Sequence, residues 1–270
     1  MSDSLMIASI RARLWRQNKN WLAVLCGGTG SGKSWSAISL ASKIDSNFSI
    51  DNVLFTPKEF IKAVNSGRMV KGSAWVYDEG GITFGAREWM TKYNKNLSYI
   101  LQSFRHMNSA LIITVPSIDL IDTHFRRLAH NYLETHRIDY EKRICRIRWF
   151  FLQWNPLKGK LYQKYPRMRL PDGKIQRVDF VDVGAPDDML IKEYEARKKQ
   201  YLGQLNREIE QRLFAEEKPK RISKKPAVLR ELKRGKHRAD IAAEVGVTLR
   251  YVDQIASVLL REKHKGAHSS

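Results

Sequence analysis

The stretch Trp21-Leu22-Ala23-Val24-Leu25-Cys26-Gly27-Gly28-Thr29-Gly30-Ser31-Gly32-Lys33-Ser34 decides how this chain folds. Its first six residues form a short apolar run, the pattern of a strand buried on both faces. The next eight fit G-x-x-x-x-G-K-[ST] in full. Gly27, Gly28, Gly30 and Gly32, with Thr29 and Ser31 between them, let a backbone curl until its N–H groups face an anion. Residues 33–44 then have helical spacing, and a helix adds its positive N-terminal end to such a site. Lys33 supplies a mobile cation for β- and γ-phosphates, and Ser34 a hydroxyl for Mg²⁺.

Downstream, apolar segments keep alternating with helical ones. Residues 53–55 read as a strand. Thr56, Pro57 and Glu59 then read as a capping box with proline at the first helical position. Residues 74–77 read as a strand, 94–105 as a helix, and 110–115 as a β-branched strand. Residues 122–129 read as a helix, with a further strand near Tyr132. Strands alternating with helices predict an α/β core with a mainly parallel sheet. The strand at 74–77 runs into Asp78-Glu79. Asp78 is placed to hold a magnesium water shell, and Glu79 to polarise an attacking water. No Asn-Lys-x-Asp guanine-reading motif is present, so ATP is favoured over GTP.

The 270 residues suit about two domains. Lys plus Arg is 48 against 28 Asp plus Glu, a net charge of +20. That excess calls for a polyanionic partner, most simply nucleic acid, and argues against a plain metabolic enzyme. Cys26 and Cys145 are too few for a disulfide framework or a four-cysteine zinc site. With no signal segment and no span long enough for a bilayer, a soluble cytoplasmic protein without membrane contact is expected.

From Arg143 the apolar period becomes two. Cys145, Ile147, Trp149 and Phe151 share one face, and Arg146 and Arg148 the other. With turns at 155–159 and 171–173, this predicts a β-hairpin with a basic outer face, returning over 160–169. Its aromatics suit nucleic-acid or subunit contact, and equally an ordinary core face. A long helix is expected from residue 186, with Leu190, Tyr194, Tyr201, Leu205, Ile209 and Leu213 on one stripe. Residues 218–238 then hold ten Lys or Arg against one acid, Glu231, and read as a basic linker entering a small domain.

In that domain Ala242, Gly246 and Val252 have the spacing of a helix-turn-helix. The small Ala242 lets two helices approach, Gly246 carries the turn, and Val247, Val252 and Ile255 bury the second helix. Thr248 is placed to cap that helix. Arg250, Tyr251 and Gln254, with Thr248, then face DNA, and Lys236 and Arg238 the phosphate backbone. The expected division is 1–185 for the nucleotide-binding domain (core 20–136, hairpin 137–185), 186–225 for the long helix and linker, and 226–270 for the helix-turn-helix.

Over residues 20–136 the chain resembles the additional-strand P-loop ATPases of the HerA–FtsK group, and within it the zonula occludens toxin-like (Zot-like) proteins. The residues that carry the likeness begin with Gly27 to Ser34 and with Val76-Tyr77-Asp78-Glu79-Gly80 followed by Arg87. Phe104-Arg105-His106 comes next, before the strand at 111–115. Ile121-Asp122 and Phe125-Arg126-Arg127-Leu128 complete the series. The resemblance implies a RecA-like fold, ATP hydrolysis and Mg²⁺. Relatives usually end the fourth strand in Thr-Gln, the glutamine sensing the γ-phosphate. Here Thr114 is followed by Val115-Pro116-Ser117, so Thr114 or Ser117 takes that role or it is missing. Filamentous-phage Zot proteins carry a membrane span that this sequence lacks. Many ring ATPases complete a neighbour's site with an arginine. Arg126 and Arg127 are the candidates here, with Arg105 behind them, and His106 reads as structural.

Two functions follow as expectations. One is an ATP-hydrolysing DNA motor of a virus or mobile element, assembled as a homo-oligomeric ring and driving translocation or packaging. The other is an ATP-switched DNA-binding initiator or regulator that assembles on a specific site.

Overall fold

In the computed structural model, which describes residues 3–78, 104, 106–121, 123–170, 172–216 and 224–266, the opening apolar run is strand β1 (Trp21–Cys26). Its alternating side chains feed two different layers. Trp21, Ala23 and Leu25 join one apolar cluster, and Leu22, Val24 and Cys26 join the other. A strand buried on both faces has this character, because successive side chains point to opposite sides. β3 (Ala74–Tyr77) and β4 (Ala110–Val115) divide in the same way: Ala74, Val76, Ala110 and Ile112 to one side, Trp75, Tyr77, Leu111 and Ile113 to the other.

β1 pairs in parallel with β4 on one side and with β5 (Asn131–Asp139) on the other. β4 in turn pairs in parallel with β3, and β3 with β2 (Val53–Leu54). β4 therefore lies between the strand that precedes the glycine loop and the strand that ends in Asp78. The result is a mixed α/β architecture with a parallel-dominated central sheet, compatible with a RecA-like core.

Helices cover both faces. On one, α1 (Ser4–Trp15) buries Met6, Ile7, Ile10 and Leu14 at helical spacing, and α2 (Lys33–Ile44) buries Ala37, Ile38, Leu40, Ala41 and Ile44. On the other, α3 (Pro57–Asn65) buries Phe60 and Ala63. The capping box is present: Glu59 N–H donates to Thr56 Oγ1 at 3.1 Å, and the Glu59 carboxylate accepts from Thr56 N–H at 3.1 Å. The buried Asn131 ties three strands together. It accepts from Trp21 Nε1 at 2.6 Å and donates to Phe150 O at 3.1 Å.

Beyond α4 (Thr123–Leu128) and β5 the pairing turns antiparallel. β6 (Ile144–Asn155) pairs with β5, with β7 (Lys160–Lys164) and with β10 (Phe180–Gly184). The return strand differs from the single run over 160–169 read from the sequence. Pro166 has no N–H to continue a ladder, and the chain leaves β6 there. It forms a separate ribbon of β8 (Arg167–Arg169) and β9 (Ile175–Arg177). The outer face of β6 also differs from a bare basic surface. Arg146 makes a two-pronged pair with Asp182 at 2.6 and 2.7 Å, and Arg148 reaches Glu134 at 3.1 Å.

α5 (Asp188–Glu216) follows. Leu190, Tyr194 and Tyr201 pack into the first cluster, whereas Leu213 is exposed. The chain divides into two units, 1–203 and 204–270. The second holds the end of α5 with α6 (Lys225–Lys233), α7 (Arg238–Val245) and α8 (Leu249–Gly266). Its core is Val228, Ile241, Ala242, Val252 and Ile255. Between α7 and α8, Gly246 has φ 65°, a left-handed conformation that glycine adopts without strain.

Candidate phosphate and metal site

β1 ends in the glycine loop, and α2 begins at Lys33. Space fixes the first glycine. A Cβ on Gly27 would lie 1.9 Å from Thr135 Oγ1, so the loop passes against β5 only without a side chain. Conformation fixes the last: Gly32 has φ 83° at the N-cap of α2. Lys33 Nζ donates to Gly28 O at 2.6 Å, which folds the lysine across its own loop. Ser31 Oγ is buried there with no hydrogen-bond partner among the described residues.

Asp78 leaves the end of β3 at the side of this loop and is 0 % exposed. Its N–H donates to Leu54 O at 2.8 Å, which holds the backbone to β2. The carboxylate is satisfied on both oxygens. Oδ1 accepts from Ser34 Oγ at 2.8 Å and from Thr114 Oγ1 at 2.6 Å. Oδ2 accepts from Tyr194 OH at 2.6 Å and from Lys198 Nζ at 3.3 Å. Lys198 also donates to Tyr194 OH at 2.9 Å. A buried carboxylate requires this, since an unpaired one is costly enough to take up a proton instead. Burial, and then the charge of Asp78, push the Tyr194 phenol well above its ordinary range, so it stays a donor.

The loop opens into a cavity of about 520 Å³, a volume typical of small-molecule sites. Its lining includes Lys33, Ser34, Thr114 and Lys198 together with the apolar side chains of Ile138 and Val183. Ser34 and Asp78 offer hard oxygens of the kind Mg²⁺ takes. Together with the partnerless Ser31 hydroxyl in a loop beside a cation, the donor set fits a phosphate–Mg²⁺ group. Cys145 lines the cavity as a buried thiol, and Cys26 ends β1. Burial pushes the Cys26 thiol up to about 12 and raises Cys145 as well, so both stay protonated at neutral pH.

The site residues read from the sequence have different surroundings. Gly27 to Ser34, Asp78 and Thr114 come together. Ser117 does not line the cavity; it caps a short 3₁₀ turn by accepting from Asp119 N–H at 3.4 Å. Arg126 Nε donates to Ile121 O at 2.8 Å, and the Arg127 guanidinium lies 4.1 Å from the Trp154 ring centre. Neither arginine lines the cavity. Glu79, Arg87, Arg105 and Asp122 lie outside the described residues, as does the helix expected at 94–105.

In the second unit, Lys236 pairs with Glu244 at 2.7 Å and with Glu231 at 3.1 Å, and Arg238 pairs with Asp253 at 3.1 Å. Thr248 Oγ1 accepts from Tyr251 N–H at 3.3 Å at the start of α8. Arg250 and Gln254 are exposed and Tyr251 is half-buried.

Sequence reasoning missed Tyr194 and Lys198 as site residues. Tyr194 was legible only as an apolar stripe position. The signal for Lys198 is its register: it follows Tyr194 by four and precedes Tyr201 by three, a lysine on the buried face.

No protein-family model matches this chain, and no curated protein matches it. Among solved structures, it is similar to the N-terminal domain of zonular occludens toxin from Neisseria meningitidis. The identity is 15% and the TM-score 0.31, over 54% of this chain and 93% of that one.

Proposed function

We propose that this chain is a P-loop ATPase that couples ATP hydrolysis to the movement of DNA. The observation that carries the reading is the meeting of Ser34 and Asp78 at 2.8 Å beside the Lys33 loop. Loop amides and Lys33 hold the phosphates. Ser34 and Asp78 hold Mg²⁺, which when bound neutralises charge on the β- and γ-oxygens. The apolar part of the cavity lining, Ile138 and Val183 included, takes the base. Glu79, next to Asp78 in sequence, orients and deprotonates the attacking water. Thr114, hydrogen-bonded to Asp78, is the better of the two sensor candidates, because Ser117 caps a turn away from the cavity. An arginine from a neighbouring copy, Arg126 or Arg127, completes the site in a homo-oligomeric ring.

The net charge of +20 supports DNA as the partner. Within 226–270, Thr248, Arg250, Tyr251 and Gln254 form the DNA-facing end of a helix-turn-helix. Lys236 and Arg238 exchange their carboxylate partners for phosphates when DNA binds. That three-helix unit also favours a second reading, an ATP-switched initiator bound at one site.

Glu79→Gln is the test. It should keep ATP bound and abolish phosphate release, and retained turnover would remove Glu79 from the role. In the intact protein, turnover that rises strongly with DNA of any sequence supports the motor. Slow turnover indifferent to DNA, with protection of one short site, supports the switch.

A further inference from the structure

We propose that Lys198 is a second phosphate-binding cation of this site, parked on Asp78 until magnesium and a triphosphate arrive. The inference rests on the nucleotide reading above and extends it to a residue outside every motif of the loop.

Lys198 lines the cavity together with Lys33, and its side chain is 20% exposed. It is delivered by α5, four residues after Tyr194, whose hydroxyl bridges the ammonium and Asp78 Oδ2. This placement is built. Phe55 stacks on Tyr201 and on Tyr194, with ring centres 5.1 and 6.2 Å apart. Arg197 donates to Ile50 O at 2.6 Å, and Trp35 Nε1 donates to Glu195 Oε1 at 3.1 Å. The turn of α5 that carries Lys198 is thereby fixed on three sides.

Charge then decides what the lysine does. Asp78 is buried, and Lys198 balances it in the nucleotide-free protein. Lys198 lies 3.3 Å from Asp78 Oδ2 and would be repelled by a dication held at Ser34 and Asp78. The four-carbon stem lets that ammonium swing while its helix stays in place. Lys33 and Lys198 line the same cavity, so a terminal phosphate held at Lys33 would offer the ammonium a new partner. Lys198 thus moves from Asp78 to the phosphate and adds charge where a triphosphate differs from a diphosphate.

Calorimetry on the full chain tests this with a non-hydrolysable ATP analogue and with ADP, each with Mg²⁺. Lys198→Gln should weaken the analogue about tenfold, the worth of one charge-assisted hydrogen bond, and change ADP less than about twofold. Lys198→Arg should stay within about threefold of wild type for both. Equal affinities in Lys198→Gln and wild type would overturn the proposal, as would tighter binding by the variant, which would mark Lys198 as a competitor of the metal.

A measurement on the unmutated protein guards against a variant that fails to fold. Amine labelling of Lys198, read by mass spectrometry, should stay low at saturating Mg²⁺ and analogue. Labelling that rises on saturation means the lysine is expelled to solvent, and the proposal fails. A wild-type protein that binds neither nucleotide refutes the nucleotide reading itself, whereas binding indifferent to Lys198 refutes only this inference.

Discussion

Asp78 in the first unit and the carboxylates of α7 and α8 in the second handle charge in opposite ways. In the first, Asp78 is sealed from water and shared by Ser34, Thr114, Tyr194 and Lys198. In the second, Lys236, Arg238, Glu244 and Asp253 pair on the surface, where the side chains of Arg238 and Asp253 are 50% and 47% exposed. Buried pairs are costly to break and hold a geometry, whereas exposed pairs contribute little and exchange easily. A site that must position a reacting group suits the first arrangement. The proposed exchange of partners for DNA phosphates suits the second.

Substitutions can break that contrast. Asp78→Ala removes the acceptor shared by four donors and should lower the stability of the first unit by about 3–5 kcal/mol, seen as a large fall in Tm. Ile241→Ala opens a cavity in the small second core and should cost about 2–5 kcal/mol. Hydrogen exchange should then rise over 225–266 while 21–26 stays protected. Thr248→Ala removes the cap of α8 and should cost about 1 kcal/mol, read as faster exchange at the start of that helix. Lys236→Ala should cost less than about 1 kcal/mol, because Glu244 is exposed and the buried Glu231 keeps Arg234 as a partner. If Lys236→Ala proved as damaging as Asp78→Ala, the contrast would be wrong.

The Cys26 thiol sharpens the same point. Its pKa is raised from 9.0 to about 12, chiefly by burial. The unfolded chain therefore releases this proton first as pH rises. The thiol's contribution to stability is whole below pH 9.0 and is lost as pH climbs through about 12. At pH 8 alkylation of Cys26 should be slow in the folded protein and fast once it is denatured.

Much of this was legible in the sequence. The loop is a local motif, and the strands around it are apolar runs whose burial on both faces follows from composition. The Thr56–Glu59 capping box is a four-residue signal. What was not legible depends on distant partners. Lys198 meets Asp78 across 120 positions of chain, and its register on α5 was the single hint. β10 escaped because Phe180 to Gly184 is a short alternation, given meaning only by the edge of β6. The arginines of β6 read as a basic face because their partners, Asp182 and Glu134, lie on other strands.

The Lys33 loop and the Ser34–Asp78 pair are proposed to hold a magnesium-bound triphosphate. Calorimetric titration of the intact protein with a non-hydrolysable ATP analogue tests it most directly, with and without Mg²⁺, in wild type and Lys33→Ala. Binding should be saturable, tighten with Mg²⁺ and weaken about 100-fold in the variant, as expected for loss of a charged phosphate contact. No binding heat in wild type, or equal affinity in Lys33→Ala, would contradict it.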